Sequence, residues 1–154
     1  MLTADQMRTL PEFFLDIPDL RRKQGRRHSL PCILALATGA VLCGMKGYKA
    51  IGSWADDLGQ KARAHFGCRK RNGRYDVPSR TTFRETLISI DPEQLDLALQ
   101  GWNEQFAKED EGLAVDGKTM RNAIDDEVHQ AHILGVVGHQ TGRCHAKKKS
   151  ALCP

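Results

Sequence analysis

Apolar positions along the first two thirds of the chain recur at helical spacing and predict a series of short helices. Ser29 and Pro31 mark one helix start, because serine can cap a first turn and proline suits its opening positions. The following residues are apolar almost all round the helix, which is typical of a core helix, and Gly44 and Gly47 end it. Its apolar positions are Ile33, Leu34, Leu36, Ala37, Ala40, Val41 and Met45.

Further helices are predicted on both sides of this core helix. Tyr48–Leu58 forms the next helix, and Trp54 lies beside its apolar face. Pro78-Ser79 begins a third helix, in which Thr82 and Glu85 also have capping-box spacing. Asp91-Pro92 begins a fourth, with aspartate as the N-cap and proline at the first position. The apolar stripes of these helices are Ile51, Ala55 and Leu58; Phe83, Leu87 and Ile90; and Leu95, Leu99, Trp102 and Phe106.

The segments between these helices are polar, apart from one apolar face near the N-terminus. Residues 19–27 are expected to form a charged linker, and residues 59–78 are basic and expected to be irregular. The apolar face before Pro18 consists of Leu10, Phe13, Phe14 and Ile17.

The period of the pattern changes after about residue 110. Leu113–Val115 is a short apolar run between Gly112 and Asp116, which predicts a buried strand. Ile133–Val137 predicts a second strand, and Arg143–Lys147 a third strand that returns along the second. The sequence therefore predicts a mostly α-helical N-terminal domain, residues 1–110, followed by the first strands of an incomplete second domain, residues 111–154.

Charge divides the chain in a similar way. Residues 1–87 carry 16 basic and 8 acidic side chains, a net charge of +8, whereas residues 88–154 carry 7 basic and 11 acidic ones, a net charge of −4. This asymmetry favours a polyanionic partner for the first half, although a solvated surface has the same composition.

Hydropathy and cysteine content indicate a cytoplasmic protein. The longest apolar run, Cys32–Met45, has 14 residues, fewer than the roughly 18–20 that a membrane-spanning helix needs. Five cysteines, an odd number without a Cys-x-x-Cys pair, indicate reduced thiols rather than a disulfide framework.

Asp116 is the strongest candidate for catalytic chemistry. A carboxylate at the end of a buried strand is held rigidly, and Gly117 permits close approach of another group. Mg²⁺ accepts such oxygen ligands, but one carboxylate alone does not make a metal site. Local sequence alone favours the simpler interpretation, that Asp-Gly is a turn dipeptide after a strand.

Several short motifs occur in an order that resembles a known family. Leu113-Ala-Val-Asp-Gly-Lys-Thr-Met-Arg121 is similar to I-A-I-D-G-K-T-L-R, the most specific motif of insertion-sequence transposases in the group of H-repeat-associated proteins. The resemblance runs from about residue 10 to 147. The other matching stretches are Ile17–Arg21, His28–Leu30, Ile33–Gly44, Tyr48–Trp54, Val77–Phe83 and His132–Leu134.

This resemblance implies a DDE transposase with an RNase H-like α/β domain, in which Asp116 is the first catalytic carboxylate and metal ligand. Two later carboxylates complete the site in the family, and two Mg²⁺ ions then activate the attacking hydroxyl and stabilise the leaving oxygen. Lys147–Pro154 does not contain the family's K-S-N-E-I motif intact. The expectation is a truncated N-terminal fragment that is catalytically inactive alone.

The basic residues are the expected contacts to DNA at transposon ends. Helices 48–58 and 79–90 are candidates for a helix-turn-helix-like reader, although the gap between them is long for an ordinary one. The proposed contacts are Arg21, Arg22, Lys23, Arg26, Arg27, Arg69, Lys70, Arg71, Lys118 and Arg121, with Lys61, Arg63 and Arg74 in the second cluster.

Two alternatives remain from the sequence. One is a DNA-binding regulatory remnant that competes for transposon ends, with self-association open. The other is a small zinc-binding protein, because five potential ligands fall within 17 residues, although their spacing matches no familiar zinc pattern. These ligands are His129, His132, His139, Cys144 and His145.

Overall fold

A computed structural model gives the structure of the protein and describes residue 7 and residues 9–105, 113–124, 130–138 and 144–150. The chain divides into two compact units, Met1–Trp102 and Asn103–Pro154. The first unit is mostly helical with one short hairpin, and the second contains a three-stranded antiparallel sheet.

The described elements are named here in chain order. The helices are α1 Leu10–Phe13, α2 Leu30–Leu42, α3 Gly47–Asp57, α4 Gln60–His65, α5 Arg80–Ser89 and α6 Pro92–Glu104, with a 3-10 turn at Lys23–Gly25. The strands are β1 Arg69–Arg71, β2 Arg74–Asp76, β3 Leu113–Ile124, β4 Gln130–Gly138 and β5 Cys144–Ser150.

Helix α2 is the centre of the first unit, as its apolar sequence predicts. Ile33, Ala35, Leu36 and Ala40 are fully buried, because other elements cover the helix on most sides. Helices α1, α3 and α5 all contact it. Burial of apolar surface on this scale is the main favourable contribution to folding of such a unit.

Helices α3 and α5 also pack directly on each other. Gly52 permits this close approach, because a Cβ there would lie 3.4 Å from the Cβ of Arg80. The C-terminal end of α6 packs near the N-terminus of the chain, where a Cβ on Gly101 would lie 3.6 Å from the Phe13 ring. Trp102 is buried at this junction.

The helix starts are partly as predicted. The Asp91 carboxylate accepts the Glu93 N–H at 2.9 Å, which confirms its capping role. The Ser79 hydroxyl caps α5 by accepting the Thr82 N–H at 3.2 Å, which confirms the predicted helix start at Pro78-Ser79. Ser29 occupies the N-cap position of α2 with extended backbone but makes no side-chain capping bond.

The prediction that residues 59–78 are irregular is wrong. They contain helix α4 and the antiparallel hairpin β1–β2, which has strands of only three residues each. Residues 19–27 are likewise more ordered than a linker, since they contain a 3-10 turn and a network of ion pairs.

The second unit is an antiparallel sheet in the order β3-β4-β5. Asp116 of β3 pairs with Gly135 of β4, and Gly135 pairs with Lys147 of β5. The three predicted strands are present and the third does return along the second, but β3 continues to Ile124, well past the predicted Val115. Asp116 therefore lies within β3 and not at its end, and Val115 is 64% exposed, so the prediction that Asp116 follows a buried strand is wrong. The RNase H-like continuation of this sheet stays a prediction.

Among the described residues, no single helix is long and apolar enough to cross a membrane. Helices α2 and α3 reach that length and composition only as a pair, which is bent by 101°.

Candidate nucleic-acid interface

The hairpin β1–β2 concentrates positive charge at one exposed site. Its strands are joined by the two-residue turn Asn72-Gly73, in which both residues have positive φ, 48° and 78°. Such a turn matches the right-handed twist of the flanking strands and favours glycine or asparagine. All four cationic side chains of the hairpin are exposed: Arg69, Lys70, Arg71 and Arg74.

The register of the hairpin places like charges opposite each other. Arg71 pairs with Arg74 directly beside the turn, while Arg69 pairs with Asp76 at the other end. Like charges at directly opposed strand positions destabilise a hairpin. The pair therefore makes this hairpin a site where an external anion is electrostatically favoured.

Helix α4 holds the hairpin through the backbone of Tyr75. The Gln60 side chain accepts the Tyr75 N–H at 2.6 Å and donates to the Tyr75 carbonyl at 3.3 Å. Arg63 donates to the same carbonyl at 3.0 Å, and to the carbonyls of Leu58 and Asp56 at 2.8 and 2.7 Å. Arg63, expected in the basic cluster, thus supports the hairpin with its guanidinium group.

Two of the basic residues expected to contact DNA are bound within the protein. Arg21 makes a bidentate pair with Asp19, at 2.8 Å from Nε and 2.7 Å from Nη2, and also donates to the His28 carbonyl at 3.0 Å. Arg26 donates to the carbonyls of Arg21 and Asp19, at 2.8 and 2.6 Å. Hydrogen bonding from Arg21 lowers the pKa of Asp19. Asp19, Arg21 and Arg26 together form the Asp19 ion-pair cluster.

His28 is within electrostatic range of cations from both basic segments. It is buried and its Nδ1 has no hydrogen-bond partner. Burial lowers its pKa, and the charges of Arg27, Arg69 and Arg21 act in the same direction against Asp76. Arg27 and Arg69 thus act on the same imidazole, and the exposed cations of residues 21–27 and of the hairpin are together called the electropositive region. The exposed cations of this region before the hairpin are Arg22, Lys23, Arg26 and Arg27, of which Arg26 is hydrogen-bonded to the carbonyls of Arg21 and Asp19.

Helices α2 and α3 have the geometry of a helix-turn-helix. They are bent by 101° and joined by residues 43–46, which include Gly44 at a φ of +85°. An angle of about 90–120° and a glycine-containing turn of three to four residues are typical of this motif. Lys46 and Lys49 are exposed at the start of α3.

The sequence predicts a reader built from α3 and α5 instead, and those helices do contact each other. The short α2–α3 connection was the signal for this second arrangement, together with Gly44 between two apolar helices. The residues missed as possible contacts are Lys46 and Lys49.

Asp116 is exposed on β3, so its carboxylate is accessible. Within the part of the chain that the structure describes, no group of three or more histidine, cysteine or acidic side chains is arranged to hold a metal ion. Lys118 and Arg121 are on the same strand, but their side chains lie outside the described part.

The zinc alternative receives no support from the described residues. His132 pairs with Thr119 and with Ser150, and Cys144 pairs with Val137. A register shift separates the pairs Val136–Ala146 and Val137–Cys144. His145 is therefore an extra residue in β5. His129 and His139 lie outside the described residues.

Comparison with known families identifies the class of protein to which the helical unit corresponds. Residues 11–103 match the family model described as DDE_Tnp_1-associated. The matched range covers more than half of the chain, and the chain belongs to this family. It is a transposase-associated family, as the sequence motifs indicated.

Two relatives are similar to most of this chain. One is the H repeat-associated putative transposase YhhI of Escherichia coli (strain K12), 27% identical over 78% of this chain and 31% of the relative. The other is a protein from the dhlA 3′ region of Xanthobacter autotrophicus, 34% identical over 79% of this chain and 41% of the relative. The chain thus spans about a third to two fifths of these relatives. No solved structure matches it.

Proposed function

We propose that this protein acts in DNA transposition and that its helical unit binds DNA through the hairpin β1–β2. The observation that carries this proposal is the cross-strand pair Arg71–Arg74, exposed at the end of a hairpin that has four cationic side chains. Membership of a transposase-associated family supports DNA as the polyanion.

The electrostatic argument rests on the cost of the like-charge pair. Two opposed arginines weaken the isolated hairpin, and this repulsion is relieved when phosphate groups lie between or beside them. Each phosphate contact also releases counterions from DNA, which contributes affinity that is independent of sequence. Hydrogen bonds from Gln60 and Arg63 hold the hairpin backbone, and its cationic side chains are exposed for such contacts.

The hairpin is a two-stranded ribbon, and we assign it to the major groove of duplex DNA. A two-stranded β-ribbon is one of the elements that the major groove admits. Exposed Arg22, Lys23 and Arg27 extend the electropositive region, and their role is contact to the phosphate backbone. In this proposal Arg21 and Arg26 act indirectly, because their guanidinium groups are hydrogen-bonded within the Asp19 ion-pair cluster.

Asp116 is the residue that we assign to the family's metal-dependent chemistry. The described residues do not fit a two-metal site, since the exposed Asp116 carboxylate is not part of a group of ligands there. No catalytic step is therefore assigned to Mg²⁺ in this chain, and Lys118 and Arg121 remain proposed DNA contacts. A role as a regulatory DNA-binding protein needs only the helical unit.

A salt titration of DNA binding tests this proposal on the full chain. Fluorescence anisotropy with a labelled duplex gives log K against log salt for the wild type and for the combined variant Arg69→Ala, Lys70→Ala and Arg71→Ala. If each side chain contacts one phosphate, the variant should lose roughly 2–3 from the magnitude of the slope, at about 0.9 per contact. Competition with an unlabelled duplex shows whether the chain can occupy a DNA end without cleaving it.

The matched control is a pair of single substitutions that change net charge equally. Arg71→Ala removes a hairpin cation, and Arg84→Ala removes an exposed cation of α5. Arg71→Ala should weaken binding several-fold more than Arg84→Ala. Equal affinities for the two variants, or a slope near zero for the wild type, would contradict binding through the hairpin.

A further inference from the structure

Two cysteines from distant parts of the chain lie side by side in the first unit. Cys32 is in the first turn of α2, and Cys68 immediately precedes β1. Their sulfur atoms are 3.7 Å apart, although the residues are 36 positions apart in sequence. Both side chains are buried and both thiols are free. Nothing in the DNA-binding role described above uses them.

The surroundings give the two thiols different reactivity. The Cys32 thiol donates a hydrogen bond to Cys68, which lowers the pKa of Cys68, and the Arg63 charge acts in the same direction against burial. The same hydrogen bond, together with burial, raises the pKa of Cys32. Since the thiolate is the nucleophilic form, Cys68 is the attacking sulfur and Cys32 is the resolving one.

We propose that Cys32 and Cys68 are a redox-sensitive modification site that closes to a disulfide when a peroxide reaches Cys68. The Cys68 thiolate attacks one peroxide oxygen, the O–O bond breaks, and the hydroxide that leaves takes up a proton as water. The Cys32 sulfur then attacks the resulting sulfenic acid, the S–O bond breaks, and a second water leaves with the Cys32 proton. Two thiols are oxidised to one disulfide, and one peroxide is reduced to two waters.

The geometry permits this closure with little rearrangement. A disulfide bond is about 2.05 Å long, so the sulfurs need to approach by less than roughly 2 Å. Gly67, with a φ of +72°, precedes Cys68 and joins α4 to the hairpin. Peroxide has access only after a local opening, because Cys68 is 5% exposed and Cys32 1%. The reaction should therefore be slower than oxidation of exposed Cys43.

Closure would tether the first strand of the hairpin to the central helix. Arg69, Lys70 and Arg71 directly follow Cys68, so the tether restricts the strand that presents these cations. Restricting a binding element in its bound conformation lowers the entropy lost on association. Resting on the proposed DNA-binding function, this predicts that the oxidised chain binds duplex DNA a few-fold more tightly than the reduced chain.

The test uses the full chain with Cys43, Cys144 and Cys153 replaced by serine, so that only the proposed pair remains. Hydrogen peroxide should give a monomer that has lost two hydrogen atoms by intact mass, and dithiothreitol should restore them. Adding Cys32→Ser should stop the reaction at a Cys68 sulfenic acid, which dimedone traps. The disulfide should raise Tm by on the order of 10 °C, because it closes a long loop of the unfolded chain.

Three outcomes would overturn the disulfide: oxygen addition without loss of hydrogen, covalent dimers in place of the monomeric product, or equal dimedone labelling with and without Cys32. The affinity for duplex DNA is measured separately, by fluorescence anisotropy on the oxidised and reduced forms. Equal affinities with a confirmed disulfide would overturn the regulatory effect alone. Absence of DNA binding in both forms would overturn the proposed function and leave the modification site intact.

Discussion

The indole Nε1 of Trp102 donates a hydrogen bond to the Thr9 hydroxyl at 3.1 Å, across 93 positions of sequence. Trp102 is buried, and it lies near the C-terminal end of α6. This contact joins the last helix of the first unit to the segment that precedes α1, and so links the two ends of the helical fold.

Replacing either member of this pair should destabilise the helical unit. We expect Trp102→Phe to lower the free energy of unfolding by about 1–3 kcal/mol, because it removes both a hydrogen-bond donor and buried surface. Thr9→Val should cost about 1 kcal/mol. Urea denaturation of the single and double variants measures the coupling. Strict additivity would show that the bond contributes nothing.

Acid should weaken the Asp19 ion-pair cluster. The folded-state pKa of Asp19 is lowered from 3.8 by the Arg21 hydrogen bond, so its stabilisation is fully present above that value. It is lost as pH falls through the lowered folded-state pKa. Asp19→Asn should cost about 1 kcal/mol at neutral pH and remove this acid dependence. Asp16→Asn, at an exposed neighbouring carboxylate, is the control and should keep the wild-type profile in thermal unfolding.

His28 should give the fold a second dependence on pH. Its folded-state pKa lies below the ordinary 6.5, since burial and the charges of Arg27, Arg69 and Arg21 oppose protonation more than Asp76 favours it. Stability is therefore full above pH 6.5 and falls as pH decreases toward the lowered value. His28→Gln should flatten Tm between about pH 5 and 7. If Tm depends on pH equally steeply in that variant, or if His65→Gln at an exposed position flattens it as much, then another group causes the dependence.

The Asn72-Gly73 turn should be necessary for DNA binding. Gly73 has a φ of +78°, and a β-branched residue in this conformation costs roughly 1–2 kcal/mol. Gly73→Val should therefore distort the hairpin and weaken DNA binding while α2 and α3 stay folded. Gly59→Val is the matched control, because Gly59 has a φ of −67° and a Cβ there would meet no atom within 4 Å. Circular dichroism and anisotropy on both variants separate loss of the hairpin from loss of the fold.

We expect this chain alone not to cleave DNA. Supercoiled plasmid incubated with Mg²⁺ or Mn²⁺ should remain intact, because one strand carboxylate cannot position two metal ions. Gel electrophoresis of the plasmid detects nicking. Nicking by the wild type that disappears in Asp116→Ala would show that the chain carries a functional catalytic site.

The helices were predictable because their burial follows directly from apolar spacing. Ile33 and Leu36 are in the core, as are Phe83 and Trp102, each from a stripe that the sequence displays. The hairpin was missed for a physical reason, since its strands are short and mostly charged. Arg69–Arg71 has no alternation of apolar and polar side chains, so only Asn72-Gly73 signals a turn.

The roles of the individual arginines could not be predicted from composition. Arg21 and Arg71 are alike in sequence, yet one is paired with Asp19 and the other is exposed on the hairpin. The difference arises from tertiary structure, because an Asp two positions before Arg21 and the His28 carbonyl converge on its guanidinium group. Charge counting therefore predicted the electropositive half but could not separate binding residues from supporting ones.

The contact between Thr9 and Trp102 has a consequence for folding during synthesis. Ribosomes add about 5–20 residues per second, so Trp102 is added to the chain roughly 5–20 s after Thr9. Until Trp102 has left the exit tunnel, the segment before α1 lacks this partner. During that interval the nascent chain therefore exposes apolar surface that is covered in the finished fold, and chaperones that bind such surfaces can act on it.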